Sequence, residues 1–265
     1  MSVDIIATPR STAWLADANP LAKLGAGMVL TLGLLISVDW VSATVALVLE
    51  CALLPLAGLS AGLLLKRGWP ILLAAVVGGY STALLAPKTG EILLSLGPVV
   101  FTTGSMESGV AIALRGLAIA LPGVIVLAST DPTDLADALA QKLRLPHRFV
   151  LGALAAMRLV GLLVTEWQTL GMARRARGVG GGKGFFRGIK AQLGQAMALL
   201  VQAVRRATRL ATTMEAKGFG VGPRTWARES TYSRRDLWVA SGGLVMAAVS
   251  VTAAVVLGTW NPVFG

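Results

Sequence analysis

Long runs of apolar residues alternate with short polar segments along most of the chain. A helix needs about 20 apolar residues to cross the roughly 30 Å hydrocarbon core of a bilayer. Five runs have this length and carry at most one charged side chain each; they cover residues 21–38, 41–65, 69–87, 108–130 and 237–260. The pattern therefore predicts an all-α, polytopic membrane protein with about five transmembrane helices.

The segment between the fourth and fifth runs has a different pattern and predicts three further helices. A proline at the first helical position and a glycine just past the last one are typical helix boundaries. On these signals the helices extend from Asp131-Pro132 to about Lys142, from Pro146 to Arg177, and from near Phe186 to Lys217. The predicted domains are a membrane region at 1–130, an inserted helical domain at 131–236, and a last span with the C-terminus at 237–265.

Charge separates the inserted domain from the rest of the chain. Of 265 residues, 55% are hydrophobic and 14% are charged, against about 25% charged in an average soluble domain. Residues 131–240 contain 18 Lys/Arg and 7 Asp/Glu, which accounts for the whole net charge of +11. Because basic segments stay on the cytoplasmic side, we expect the N-terminus and residues 131–236 inside and the C-terminus outside. The connection at 91–103 is long and apolar enough to be re-entrant instead.

Several other classes of protein do not fit this composition. One cysteine, Cys51, excludes a disulfide scaffold, and a single His147 leaves no His/Cys set for a metal. The basic insert is interrupted by apolar runs and aromatic residues are few, so we expect no nucleic-acid partner. The glycine-rich run at 178–184 lacks the first Gly and the Ser/Thr of a phosphate-binding loop, so we interpret it as a turn.

One acidic cluster leaves an enzymatic alternative open. Asp131, Asp134 and Asp137 follow the fourth span at intervals of three residues, as the magnesium-diphosphate ligands of an intramembrane prenyltransferase would. Such an enzyme needs a second acidic cluster, which the chain lacks, and helix capping explains the three residues as well. A multi-span anchor for some other complex is a third possibility.

Two charged residues lie well inside predicted spans. Charged residues are rare within spans and usually pair or serve a function. Glu50 lies nine residues past the start of its span and Arg115 seven, and both spans run in the same direction. The two side chains are therefore at similar depths, and we predict that they pair or share a polar network.

The two long helices of the insert end in the same way. Their last residues are Ala176-Arg177-Gly178 and Ala216-Lys217-Gly218. A cation in the last turn complements the helix dipole and the glycine takes the left-handed cap, which accounts for each end separately. Two matching ends 40 residues apart also suggest tips that enter acidic grooves on another protein.

At these residues the chain resembles a known family, the transmembrane T component of energy-coupling-factor transporters, which are ATP-binding-cassette (ABC) transporters. The resemblance covers nearly the whole chain, and the two tripeptides are its strongest part. Three other stretches and the surroundings of the second tripeptide also carry it: Asn19-Pro20-Leu21-x-Lys23-Leu24, Thr103–Arg115, Ser129–Leu135 and Ala211–Gly220.

The resemblance implies a non-catalytic membrane scaffold in a bacterial or archaeal cell membrane. Two ABC ATPase subunits, or one fused chain, would bind the coupling residues and carry ATP and Mg, whereas this chain would bind no cofactor. A substrate-binding S component would deliver a vitamin or a metal ion. The coupling residues would be Ala176, Arg177, Gly178, Ala216, Lys217 and Gly218. Lys217 stands where the family usually has Arg, which keeps the charge without bidentate geometry.

Overall fold

The computed structural model describes residues 14–37, 39–59, 61–96, 99–178, 185–220, 226 and 228–261. Its elements are α1 (Pro20–Leu35), α2 (Trp40–Leu53), a 3-10 turn (Leu54–Ala57), α3 (Ala61–Leu85), β1 (Ile92–Leu96), β2 (Val99–Thr102), α4 (Thr103–Ser129), α5 (Pro132–Gln141), α6 (His147–Ala176), α7 (Phe185–Ala216) and α8 (Arg234–Val256). Two compact units share these elements. The membrane unit extends to Leu135 and resumes at Thr231, and the insert unit is Ala136–Ser230.

Five helical segments of the described chain are long and apolar enough to cross a membrane. Four of them correspond to predicted spans, and they are Trp40–Ala57, Gly68–Leu85, Thr103–Ser129 and Arg234–Val256. The fifth is α6 of the insert unit, and the first predicted span forms the shorter helix α1. The all-α, multi-pass prediction is confirmed. The three insert helices also begin and end within about two residues of their predicted positions.

The predicted span 41–65 is too long. Helix α2 ends at Leu53, and the following 3-10 turn, which contains Pro55, ends at Gly58 with a left-handed φ of 69°. Proline removes a backbone donor, and glycine adopts positive φ without steric cost, so these two residues end the helix. Helix α3 then begins at Ala61, which places Lys66 inside a helix instead of in a loop.

The 91–103 connection forms an antiparallel β-hairpin. Strand β1 pairs with β2 from Ile92 opposite Thr102 to Leu96 opposite Val99. Thr102 also begins α4, because its hydroxyl accepts from Ser105 N at 3.3 Å while Ser105 Oγ accepts from Thr102 N at 3.0 Å. This capping box starts the helix five residues before the predicted position.

Small residues let the helices of the membrane unit approach closely. A Cβ added at Gly79 of α3 would lie 2.7 Å from the Gly109 carbonyl oxygen of α4, and one at Gly243 of α8 would lie 2.6 Å from Ala26 Cα of α1. In membranes, backbone approach through small residues provides much of the packing between helices. By contrast, a Cβ at Gly78 would meet no atom within 4 Å.

A buried polar network joins the beginnings of α1 and α8 to the end of α4. Lys23 Nζ donates to the carbonyl oxygens of Ser129 at 2.9 Å and Ala16 at 3.2 Å. Asn19 N donates to Asp236 Oδ1 at 2.5 Å, and Asp236 Oδ2 accepts from Ser233 N at 2.6 Å. The network satisfies backbone groups at helix ends, which would otherwise be costly to bury.

Candidate functional site

The two long helices of the insert unit pack in opposite directions. Near the beginning of α6, Arg148 Nη2 donates to the Gly220 carbonyl oxygen, just past the end of α7, at 2.7 Å. Towards the end of α6, Gln195 Nε2 of α7 donates to the Trp167 carbonyl oxygen at 2.7 Å. The Arg174 guanidinium lies over Gly194, where a Cβ would be 3.0 Å from Nη2. The helices are therefore antiparallel.

Charged residues line a cleft between α6 and α7. Glu166 of α6 forms an ion pair with Arg206 of α7, and both side chains are partly exposed. The cleft has a volume of about 470 Å³, and Arg205 and Arg209 also line it. An exposed ion pair contributes little to stability. The main effect of these charged residues is therefore to make this side of the insert unit basic.

Both tips have the capped geometry that the sequence predicts. Gly178 and Gly218 have left-handed φ values of 76° and 70°. Gly178 N donates to the Arg175 carbonyl oxygen, and Gly218 N donates to the Glu215 carbonyl oxygen, each at 2.9 Å. At the second tip, Phe219 N also donates to the Met214 carbonyl oxygen at 2.9 Å, which completes a Schellman motif.

The capped geometry leaves the two tip cations available. Arg177 and Lys217 are both exposed. Neither side chain has an ion-pair partner among the residues that the structure describes. Each cation follows directly on a helix whose last carbonyls carry partial negative charge, so it stabilises the helix end while its charged group remains free to meet an acidic partner.

The antiparallel arrangement places the two tips far apart. From Gly194, beside Arg174, α7 continues for 23 residues to Lys217, which is about 35 Å at 1.5 Å per residue. From Arg148, which binds Gly220, α6 continues for 29 residues to Arg177, about 44 Å. Each tip lies near the far end of the other helix. The two tips therefore lie on separate parts of the surface of the insert unit.

The beginning of α6 is held by contacts that the sequence did not reveal. Ala136 and Ala140 of α5 form a buried cluster with Val150 of α6, against which Trp226 packs. Gln141 binds the chain that returns from α7, because its Nε2 donates to the Arg228 carbonyl oxygen at 2.8 Å and its Oε1 accepts from Ser230 N at 2.9 Å. Single polar residues of this kind have no periodic signature in a sequence.

The acidic cluster has a structural explanation. Asp131 Oδ1 accepts from Thr133 N at 2.7 Å and so caps α5, as predicted. Asp134 and Asp137 have interactions of their own. Within the described ranges, no group of three or more His, Cys, Asp or Glu residues is placed to hold a metal ion. Nothing in the geometry favours the prenyltransferase alternative.

The predicted pair or shared polar network of Glu50 and Arg115 is not formed among the described residues. Arg115 Nη2 donates to the Leu35 carbonyl oxygen at 3.0 Å, and neither carboxylate oxygen of Glu50 has a hydrogen-bond partner among the described residues. Leu35 and Trp40 flank the same short turn, so Arg115 is level with the beginning of α2. Glu50 lies ten residues further along α2, about 15 Å away. When depth was measured from the predicted starts of their spans, the two residues were at similar depths, and this hid the offset.

The fold defines an all-α, multi-pass membrane protein, and the comparisons with known proteins identify the family. A family model described as a cobalt transport protein, CbiQ, matches residues 11–226. The chain is 30% identical over 247 residues to the energy-coupling factor transporter transmembrane protein EcfT of Lacticaseibacillus paracasei, with 88% of this chain and 91% of that protein covered. It is 32% identical over 208 residues to EcfT of Brevibacillus brevis, with 74% of each chain covered. The chain belongs to the CbiQ family, the transmembrane T components of energy-coupling factor transporters.

Proposed function

We propose that this chain couples two ABC ATPase subunits to a substrate-binding S component in an ATP-driven importer of a vitamin or a metal ion. The observation that carries the proposal is the pair of exposed, capped cations at Arg177 and Lys217, at opposite ends of an antiparallel helix pair. ATP and Mg are held by the partner ATPases, or by one fused ATPase chain, and not by this chain.

The separation of the tips supports two ATPase contacts. Helix α6 alone is 30 residues long, or about 45 Å, so one ATPase groove cannot receive both tips. Each tip adds a cation to a rigid, hydrogen-bonded helix end. Such an end can transmit a movement of the ATPase along the helix, because sharp kinks usually need a proline or a π-bulge and neither α6 nor α7 contains a proline.

We further propose that the N-terminus and the insert unit, with both ends of α6, face the cytoplasm. Helix α6 has cations at both ends, Arg148 near its start and Arg174, Arg175 and Arg177 at its end. The preference of cations for the cytoplasmic side supports an arrangement with both ends on that side. Its partner α7 is too highly charged to follow it across a bilayer.

Cysteine labelling tests this orientation. In a Cys51→Ser background, Leu145→Cys precedes α6, Arg175→Cys lies in its last turn, and Asn261→Cys follows α8. We expect a membrane-impermeant maleimide to label only Asn261→Cys in intact cells, and all three after permeabilisation. Labelling of either position 145 or position 175, but not both, in intact cells would show that α6 crosses the bilayer.

Co-purification tests the proposed partners. After extraction in a mild detergent from cells that express it, we expect the tagged chain to retain nucleotide-binding subunits in a ratio of two ATPase domains to one scaffold chain. Native mass spectrometry gives the stoichiometry. Retention of partners without nucleotide-binding domains would instead support an anchor, and catalytic turnover by the isolated chain would support an enzyme.

A further inference from the structure

The insert unit is continuous with the membrane unit at both of its ends. One connection, residues 129–135, leads from the end of α4 into α5, and the other, residues 231–233, leads into α8. Both connections belong to the membrane unit. Side chains at the beginning of α1 bind both of them, since Lys23 contacts the first and Asn19 contacts the second.

The first connection is held at the end of α4. Thr130 is extended, with φ −124° and ψ 131°, so the helix ends at Ser129 and its last carbonyl oxygens have no partner within it. Lys23 Nζ, which is almost fully buried, donates to the Ser129 carbonyl oxygen at 2.9 Å. The carboxylate of Asp134, in the first turn of α5, also interacts electrostatically with this ammonium group. One lysine therefore acts on both sides of the connection.

The side chains of the first connection do not hold it in place themselves. The hydroxyl oxygens of Ser129 and Thr130 are buried, and neither has a hydrogen-bond partner among the residues that the structure describes. A buried hydroxyl without a partner is unfavourable. These two side chains therefore favour a displaced position in which they would be paired or hydrated, and the bond from Lys23 opposes that displacement.

The second connection is held by Asn19 and Asp236. Asn19 Nδ2 donates to the Thr231 carbonyl oxygen at 3.3 Å, while its Oδ1 accepts from Leu21 N at 3.0 Å and caps α1. Asn19 N donates to Asp236 Oδ1 at 2.5 Å, and Asp236 Oδ2 accepts from Ser233 N at 2.6 Å. The beginning of α1 is thus fixed to the segment that leads into α8.

We propose that Lys23 and Asn19 are positioning residues that transmit movement of the insert unit to the membrane helices. The inference rests on the proposed function, because ATPase movement at the tips supplies the load. Along the chain, that load enters the membrane unit through the two connections. Where they are fixed to α1, the load moves α1 together with α8, which packs closely on it at Gly243 and Ala26. Where they are released, local displacement of the connections absorbs it.

Hydrogen exchange in the full-length chain, purified in mild detergent, tests the fixing of the connections. Lys23→Met removes the ammonium group and keeps an unbranched side chain. We expect peptides covering residues 129–135 to exchange at least about tenfold faster, the range of a hydrogen bond to a charged group. Asn19→Ser keeps a capping oxygen but loses the Nδ2 donor, and it should have this effect at residues 231–236. Lys66→Met, at an exposed lysine of α3, should change neither segment.

The coupling ratio of the complete reconstituted transporter tests the role in transmission. We expect Lys23→Met to lower substrate uptake per ATP hydrolysed at least about fivefold, the lower end of typical coupling between sites, while ATP hydrolysis continues. A merely structural role would reduce the amount of folded complex, so uptake and hydrolysis would fall together and their ratio would not change. Lys66→Met should keep the ratio of the wild type.

Two results would overturn the inference while the wild type takes up substrate normally. They are unchanged exchange at residues 129–135 in Lys23→Met and an unchanged coupling ratio in that variant. If Lys23→Met does not fold, the same two measurements on Asn19→Ser, with exchange followed at residues 231–236, decide the question. Failure of the wild type itself to bind ATPase subunits would instead contradict the proposed function.

Discussion

Replacing both tip cations by carboxylates, in the variant Arg177→Glu with Lys217→Glu, is expected to abolish ATP-driven uptake by the complete transporter. Removing one partner of a buried, hydrogen-bonded charge pair costs about 2–5 kcal/mol, and reversing the charge adds repulsion. Because both side chains are exposed in the insert unit, the variant should still insert into membranes normally. Uptake by reconstituted vesicles and ATPase retention on the purified membrane components measure the two effects.

Two controls separate tip contacts from general charge effects. Arg158→Glu with Arg205→Glu makes the same change in net charge at exposed positions within α6 and α7 instead of at their ends, and it should leave uptake within about twofold because surface substitutions have small effects. Lys217→Arg should also be tolerated, since it keeps the cation. Normal uptake by the double reversal would mean that the tips are ordinary capped helix ends.

Gly79→Ala is expected to destabilise the packing of α3 against α4 in the membrane unit. A Cβ at this position would lie 2.7 Å from Gly109 O and 2.8 Å from Ala113 Cβ. The contacted atoms are backbone oxygen and a side chain with no rotamers, so α3 and α4 must separate. Overpacking of this kind costs about 1–3 kcal/mol. The thermal midpoint of unfolding in detergent should fall clearly.

The neighbouring glycine provides the matched control. A Cβ at Gly78 would have no atom within 4 Å, so Gly78→Ala should leave the midpoint unchanged or raise it, because alanine has the higher helix propensity. Equal midpoints for the two variants would show that the close contact of α3 with α4 does not limit stability.

The sequence predicts those parts of the fold that depend on periodic or strongly local signals. Apolar runs identified the spans, and Pro132 and Pro146 placed the beginnings of two insert helices. The glycines after Arg177 and Lys217 placed two helix ends, and the structure gives both the expected left-handed conformation. Each of these signals acts within a few residues, so a single sequence contains it.

Features that depend on contacts between distant segments could not be predicted in this way. Lys23 reads as one charge near the end of a span, yet it is 3% exposed because Ser129, 106 residues away, supplies a carbonyl oxygen. The offset in depth between Glu50 and Arg115 depends on how α2 and α4 are aligned lengthwise against each other. The antiparallel packing of α6 and α7, which separates the tips, likewise follows from tertiary contacts such as Arg148 with Gly220.

Site-specific photocrosslinking tests most directly the central claim that the two tips contact two ATPase subunits. A photoreactive phenylalanine analogue replaces Arg177 in one variant and Lys217 in another, and the complete complex is irradiated in membranes. The account predicts that each position crosslinks to a nucleotide-binding subunit, and that a chain carrying both analogues crosslinks to two ATPase domains at once. Crosslinks from both positions to lipid or to the S component alone would contradict it.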